Sequence, residues 1–325
     1  MYNNERVIID TRKYDIDEML FRYKQGKIIF YEKKCATWKR REKVVQDIIK
    51  ALLRGIPFPP VYASELQTGE LLILDKSDKL RFLLEYLAHG DVLNDDKNVD
   101  YDRYWERTIL YSTAMLYVID YMNPRYMHMQ VGKFVEEWTA MQEQSVWNVL
   151  YHGDDINILK YMIKEARHYR FTKLNLQYYL MHYLMVDFVV CDLSNEFEYE
   201  RFDRFQLLEK TLNKLEYKSR KDLKNLSNEF NRIYFGIYQN LFFKNKNTEE
   251  KMKYLCFMYI YEKIYNKSDI YAVFNLKDTQ NRIENWDMSY KSIRDMLNLL
   301  KKEIGFMIKK LILRVLNLLI LYHLN

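Results

Sequence analysis

The chain has 325 residues and only four prolines, Pro57, Pro59, Pro60 and Pro124, so everything beyond Pro124 is proline-free. Proline fixes φ and removes a backbone donor, and long helices are the structures that most need its absence. Glycine follows the same trend, because only Gly236 and Gly305 occur after Gly153. Tight turns that need positive φ are therefore scarce in the second half. The pattern predicts an α+β protein. A mixed α/β domain over residues 1–153 is followed by a mostly helical domain over 154–325, a division that chain length allows.

Hydrophobic residues at 49% and charged residues at 30% give a globular balance, far from the composition of disordered chains. A formal charge of +6 permits a polyanionic partner without demanding one. Cys35, Cys191 and Cys256 are odd in number and widely spaced, which suggests neither a disulfide framework nor a metal knuckle. The start, Met1 to Asp10, is polar and carries Glu5, Arg6 and Asp10, unlike a secretory signal. These features point to a reducing cytoplasm. The apolar stretch Ile304 to Leu324 is interrupted by Lys309, Lys310, Arg314 and Asn317. A charge at a bilayer centre costs ~3 kcal/mol, so a buried or partner-facing helix is expected there and no membrane association. The C-terminal helices then offer a surface for a protein partner or a second copy.

Helices are expected at Asp15 to Gln25 and Arg40 to Arg54, the second with Val44, Val45, Ile48, Ile49, Leu52 and Leu53 on one stripe and Gly55 as its stop. Ile56-Pro57-Phe58-Pro59-Pro60 is a rigid extended link. It feeds a strand at Val61 to Ser64, a turn at Gln67 to Glu70 and a second strand at Leu71 to Leu74, which form a hairpin. A helix at Ser77 to His89, a polar loop at Asp91 to Asp102 and a strand at Leu116 to Ile119 follow. From Met129 the pattern is helical. Segments are expected at Gln142 to Tyr151, Asn157 to His168, Leu174 to Val190, Phe197 to Tyr217, Lys221 to Phe243, Glu249 to Tyr265 and Thr279 to Lys302, with a loop at Lys244 to Thr248.

The succession of helix, Gly55 to Pro60, strand, turn, strand and helix resembles the ParB/sulfiredoxin-like N-terminal domain of GmrSD-type restriction proteins. That family shows Gln-Arg ahead of a Trp, a Gly-Ile-Pro-Ile-Pro-Pro link, an Asp-Gly-Gln-Gln-Arg box after the hairpin, and a later Gln-Glu-Ile-Arg-Asn helix. Trp38, Gly55 to Pro60, Leu74, Asp75 and Leu80 fit the scaffold. The box reads Asp75-Lys76-Ser77-Asp78-Lys79, and the pair ahead of Trp38 reads Lys33-Lys34. In the later segment Gln144, Asn148 and Tyr151-His152-Gly153 match, whereas Ser145 and Trp147 stand in place of Glu and Arg. The resemblance covers Ile28 to Gly153.

It implies a phosphate-binding strand-to-helix turn, since a helix N-terminus offers free N–H donors and a positive dipole end. Here Lys76 adds a Cβ where the family has Gly, and Lys79 supplies a point charge in place of a bidentate Arg. The implied protein is a non-catalytic or weakly active relative of restriction-associated NTPase or nuclease subunits, acting in phage defence or a virus. Nucleotide or nucleic acid, DNA among the options, is expected on Lys33, Lys34, Trp38, Lys76, Lys79 and Asn148, with no obligatory cofactor. Asp75, Asp78 and Lys79 are the catalytic candidates of the alternative, a divergent NTP hydrolase or nuclease. A phage or viral assembly protein is a further alternative. The same lysines also read as a solvated face with Asp75 and Asp78 capping the helix, and Trp38 and Trp147 read as core as well as base-stacking platforms. His152 reads as a helix-end cap. His128, His168 and His182 lack ligands at metal spacing, so no metal site is expected.

Overall fold

The computed structural model describes residues 6–31, 38–75, 77–89, 106–151, 154–165, 173–191, 204–239, 246–265 and 277–285. Contacts divide the chain into two compact units, one of residues 2–156 and one holding 157–325. The fold is α+β: a five-stranded mixed sheet near the N-terminus and a mostly helical remainder.

The first unit runs β1 (Ile9–Asp15), α1 (Ile16–Lys24), β2 (Ile28–Phe30), α2 (Trp38–Leu53), β3 (Phe58–Glu65), β4 (Leu71–Ile73), α3 (Ser77–His89), β5 (Thr113–Ile119), α4 (Arg125–Val135) and α5 (Ala140–Leu150). Its strand order is β1-β5-β3-β4-β2. The β1–β5 and β3–β4 pairs are antiparallel, and β3–β5 and β2–β4 are parallel.

The expected hairpin is β3–β4, closed by Leu66 N–H donating to Glu70 O at 2.9 Å. Its first strand begins earlier than expected, at Phe58, and so contains Pro59 and Pro60. Two prolines are tolerated between neighbours because the β3–β5 register shifts between Phe58 and Val61 and β4 pairs only Ala63 to Glu65. Gly55, at φ 76°, ends α2 as expected. Gly55 N–H donates to Leu52 O and Ile56 N–H to Ala51 O, the paired bonds of a Schellman motif. α4 starts at Arg125, four residues before the expected point, because Pro124 sits at its N-cap and pre-sets the turn.

Alternation along the strands makes two apolar layers. Val61, Ala63, Leu71, Ile73, Ala114, Leu116 and Val118 face one way, and α1 to α3 cover them with Ile16, Met19, Leu20, Leu52, Leu80, Leu83 and Leu84. Each fully buried aliphatic side chain contributes roughly 1.5–3 kcal/mol. On the other face Leu72, Leu74 and Ile119 are buried, and α4 packs against β3.

The second unit, among its described residues, is helical: α6 (Asp154–Glu165), α7 (Lys173–Cys191), α8 (Arg204–Leu215), α9 (Arg220–Gln239), α10 (Thr248–Tyr265) and α11 (Lys277–Glu284). α7 is buried continuously from Leu176 to Met185 and α10 from Met252 to Tyr259, and the two pack on each other. Tyr183 joins them through Tyr259, with ring centroids 4.3 Å apart, and reaches Phe230 of α9 at 5.2 Å. α11 is held on α10 by Glu284, whose carboxylate accepts from Tyr254 and Lys246 and whose carbonyl accepts from Lys253. Among the described residues no helix is long and apolar enough to cross a membrane. The expected loop at Lys244 to Thr248 is shorter at its C-terminal end, because Thr248 already belongs to α10, and the stretch Ile304 to Leu324 lies outside the described residues.

Candidate functional site

The segment Asp75 to Lys79 lies where the resemblance puts the phosphate box, between the end of β4 and the first turn of α3. Leu74 is fully buried, and both of its backbone groups are engaged. Its N–H donates to Tyr62 O at 2.9 Å, and its carbonyl accepts from Trp138 Nε1 at 3.3 Å. Asp75 is 3% exposed, and its Oδ1 accepts from the backbone N–H of Tyr62. The Leu74 carbonyl is taken by Trp138, so the Asp75 carboxylate supplies the acceptor for the Tyr62 N–H and completes the β3 side of the ladder opposite Leu74. Buried N–H groups left without an acceptor are costly, which gives Asp75 a structural task on β3.

Trp138 is the other anchor. Its ring lies directly on Gly132 of α4: a Cβ there would come within 2.0 Å of the ring atom Cη2. Tyr31 meets the same ring edge-on, with centroids 5.7 Å apart. Glycine at 132 thus lets the indole drop onto α4 and aim its N–H at the residue before Asp75.

Lys79 is exposed and is the third residue of α3, and Asp78 beside it is half-buried. Lys79 lines the rim of a groove of about 290 Å³ between α2 and the Ile56 to Pro59 link. The walls are largely aliphatic and aromatic, and Asp47 and Lys79 are the charged residues lining it. Asn148 lies on α5, where its Oδ1 accepts from Gln144 Nε2 at 3.1 Å. α5 packs on α4, whereas α3 packs on α1 and α2, so Asn148 and Lys79 belong to different helical layers. Trp38 begins α2. Lys33, Lys34 and Lys76 lie outside the described residues, as do His152 and His168.

Trp147 is 1% exposed and stacks on Tyr151 with centroids 4.1 Å apart, which makes it core and removes it as a base-stacking surface. His182 is 2% exposed, and its Nδ1 lies 2.8 Å from Tyr178 O within α7.

The sequence reading missed a serine–histidine contact. His128 Nδ1 lies 2.9 Å from Ser64 Oγ, and Nε2 lies 3.3 Å from the carbonyl of Asn123. The carbonyl can only accept, so Nε2 carries the proton and Ser64 donates to Nδ1. This is the order of groups in a nucleophile–base pair, but Ser64 is fully buried and His128 nearly so. Burial also pushes the His128 pKa down to about 4. The contact is a neutral tie between β3 and α4, closed to any substrate. Only its burial distinguishes it from a catalytic pair, and burial is not written in residue spacing.

Among the described residues no three His, Cys, Asp or Glu side chains are grouped to hold a metal ion. Comparison of the chain with models of known families, with curated proteins and with solved structures finds no match, so the likeness to restriction proteins rests on the motif residues themselves.

Proposed function

We propose that this chain is a non-catalytic or weakly active relative of restriction-associated NTPase and nuclease subunits, and that it binds nucleic acid or nucleotide phosphates at the β4–α3 junction. The observation that carries this reading is the placement of Lys79. It is exposed in the first turn of α3, beside a groove, at the position that matches the family's phosphate-binding Arg. A cation in a first turn opposes the helix dipole, typically by ~0.3–1 kcal/mol. An anion brought by a ligand relieves that opposition and also accepts from the free N–H groups of the turn.

The hydrolase reading is weaker on the same geometry. Asp75 is buried with an oxygen committed to Tyr62 N–H, and Lys79 lacks the fork that neutralises a transferring phosphoryl group. Losing one preorganised donor costs ~100-fold to 1000-fold in rate. The cytoplasm, phage defence or a virus as the setting, and a protein partner on the C-terminal helices belong to this proposal.

The test is binding of a fluorescent single-stranded DNA and of inorganic polyphosphate across a salt series, paired with phosphate release from the four nucleoside triphosphates. Affinity should fall steeply with salt. Lys79→Ala should weaken binding and lower the logarithmic salt slope by about one, and phosphate release should stay at background. Binding indifferent to Lys79→Ala would overturn the site. Turnover abolished by Lys79→Ala would replace this reading with the hydrolase.

A further inference from the structure

In the second unit the turn between α8 and α9, Glu216 to Ser219, lies within a run of cations. Residues 210–224 hold Lys210, Lys214, Lys218, Arg220, Lys221 and Lys224 against Glu216 and Asp222, so this short segment carries four of the chain's six net positive charges. Leu212, Leu215, Leu223 and Leu226 are buried, which leaves the charges on the outer faces of the two helices. Lys214 stands in the last turn of α8, where a cation complements the helix dipole. The cations of α9 have no such explanation. Arg220 and Lys221 open the helix, where a cation opposes the dipole, and Arg220 and Lys224 are like charges one turn apart. The carboxylate beside them, Asp222, is exposed and accepts from the Ser219 hydroxyl at 2.6 Å. That bond, aided by the charges of Lys218 and Lys221, holds its carboxyl below the usual range. Among the described residues no ion pair or hydrogen bond engages the side chains of Lys218, Arg220, Lys221 and Lys224.

Tyr217 projects from the middle of this turn at 89% exposure, and its ring meets no other ring, cation or hydrogen-bond partner among the described residues. An aromatic side chain placed so has no packing task. The two features together select one occupant. Cations spread over two helix ends neutralise a chain of phosphates, and an open aromatic face stacks on a base. A base inside a duplex is already stacked on its neighbours, so the uncovered ring calls for a single strand. An anionic lipid surface fits less well, because interfacial helices sink an apolar face into the bilayer, whereas the leucines of α8 and α9 are buried in the protein.

We infer that the α8–α9 turn is a binding surface for single-stranded nucleic acid, with a base stacked on Tyr217 and the flanking phosphates on Lys218, Arg220, Lys221 and Lys224. This surface shares no residue with the β4–α3 junction and does not depend on phosphate binding there.

The test is fluorescence anisotropy of a labelled single-stranded DNA of mixed sequence on the full chain across a salt series, with photocrosslinking of the same strand carrying 5-iodouracil. Crosslinked peptides should contain Tyr217, and that crosslink should persist in Lys79→Ala, which separates this surface from the junction. On the Lys79→Ala background, Tyr217→Ala should weaken binding of the single strand roughly tenfold with an unchanged salt slope, and Tyr217→Phe should retain it. Arg220→Ala and Lys224→Ala should each lower the logarithmic salt slope by about 0.7. Crosslinks that map away from the α8–α9 turn, or a Tyr217→Ala chain that binds the strand as before, overturn the inference. An equal loss of duplex binding in Tyr217→Ala overturns it too, as does a chain that binds phosphatidylserine vesicles and ignores the single strand.

Discussion

Gly132→Ala adds one methyl group, usually a favourable change in mid-helix, where alanine is better than glycine by about 1 kcal/mol. Here the new Cβ would lie 2.0 and 2.4 Å from two ring carbons of Trp138, a rigid group that must move bodily. Overpacking of this kind costs typically ~1–3 kcal/mol. A displaced indole also withdraws its N–H from Leu74 O, leaving a buried carbonyl short of its donor at ~1–3 kcal/mol. The sum, less the helix gain, is a net destabilisation of about 1–5 kcal/mol in the first unit. Urea unfolding followed by near-UV circular dichroism and by hydrogen exchange at Leu72 to Leu74 measures it, the exchange isolating this unit from the helical one. A variant as stable as wild type, with unchanged Trp138 signals, would show that α4 slides away from the ring at no cost and would refute the argument.

Two further outcomes follow from the same region. Asp75→Ala leaves Tyr62 N–H without its acceptor and should lower stability by ~1–3 kcal/mol, read as a reduced urea midpoint; an unchanged midpoint would return Asp75 to the list of catalytic candidates. His128 has a folded pKa of about 4 against an unfolded value near 6.5. The unfolded chain therefore binds the extra proton first, and its share of stability is complete above pH ~6.5 and is lost as pH falls toward 4, on the order of 3 kcal/mol in all. Urea midpoints across that range should decline for wild type and decline less for His128→Phe; parallel curves would contradict the burial assigned to the imidazole.

The sequence signal is strongest where local chemistry decides the structure. α3 spans Ser77 to His89 as expected, since its leucines recur at helical spacing and the turn before it breaks the strand. The hairpin and the Gly55 stop follow from turn residues alone. β1 and β2 carry no such signal. In Ile9–Asp15 Tyr14 alone is buried, while Ile9 stays exposed, so alternation is absent and its pairing with β5 is what makes the segment a strand. β2 has three residues and takes its conformation from β4. At the junction, motif spacing locates Asp75 and Lys79 at a strand-to-helix turn. It does not reveal that the Asp75 carboxylate faces β3, nor that Trp138 braces Leu74 from beyond α4, because both contacts join positions far apart in the chain.

The strand order also sets a timetable for biosynthesis. β1 leaves the ribosome well before its partner β5, which ends at Ile119. At ~5–20 residues per second, on the order of ten seconds separates the two. Until β5 arrives β1 has no neighbour and one side of β3 is open, although β2, β3 and β4 can already associate with α1 to α3. Nascent chains stalled before residue 113 should thus present β3 with an unpaired backbone edge, a target for chaperones. A few residues later β5 inserts between β3 and β1, and the sheet of the first unit closes in one late step.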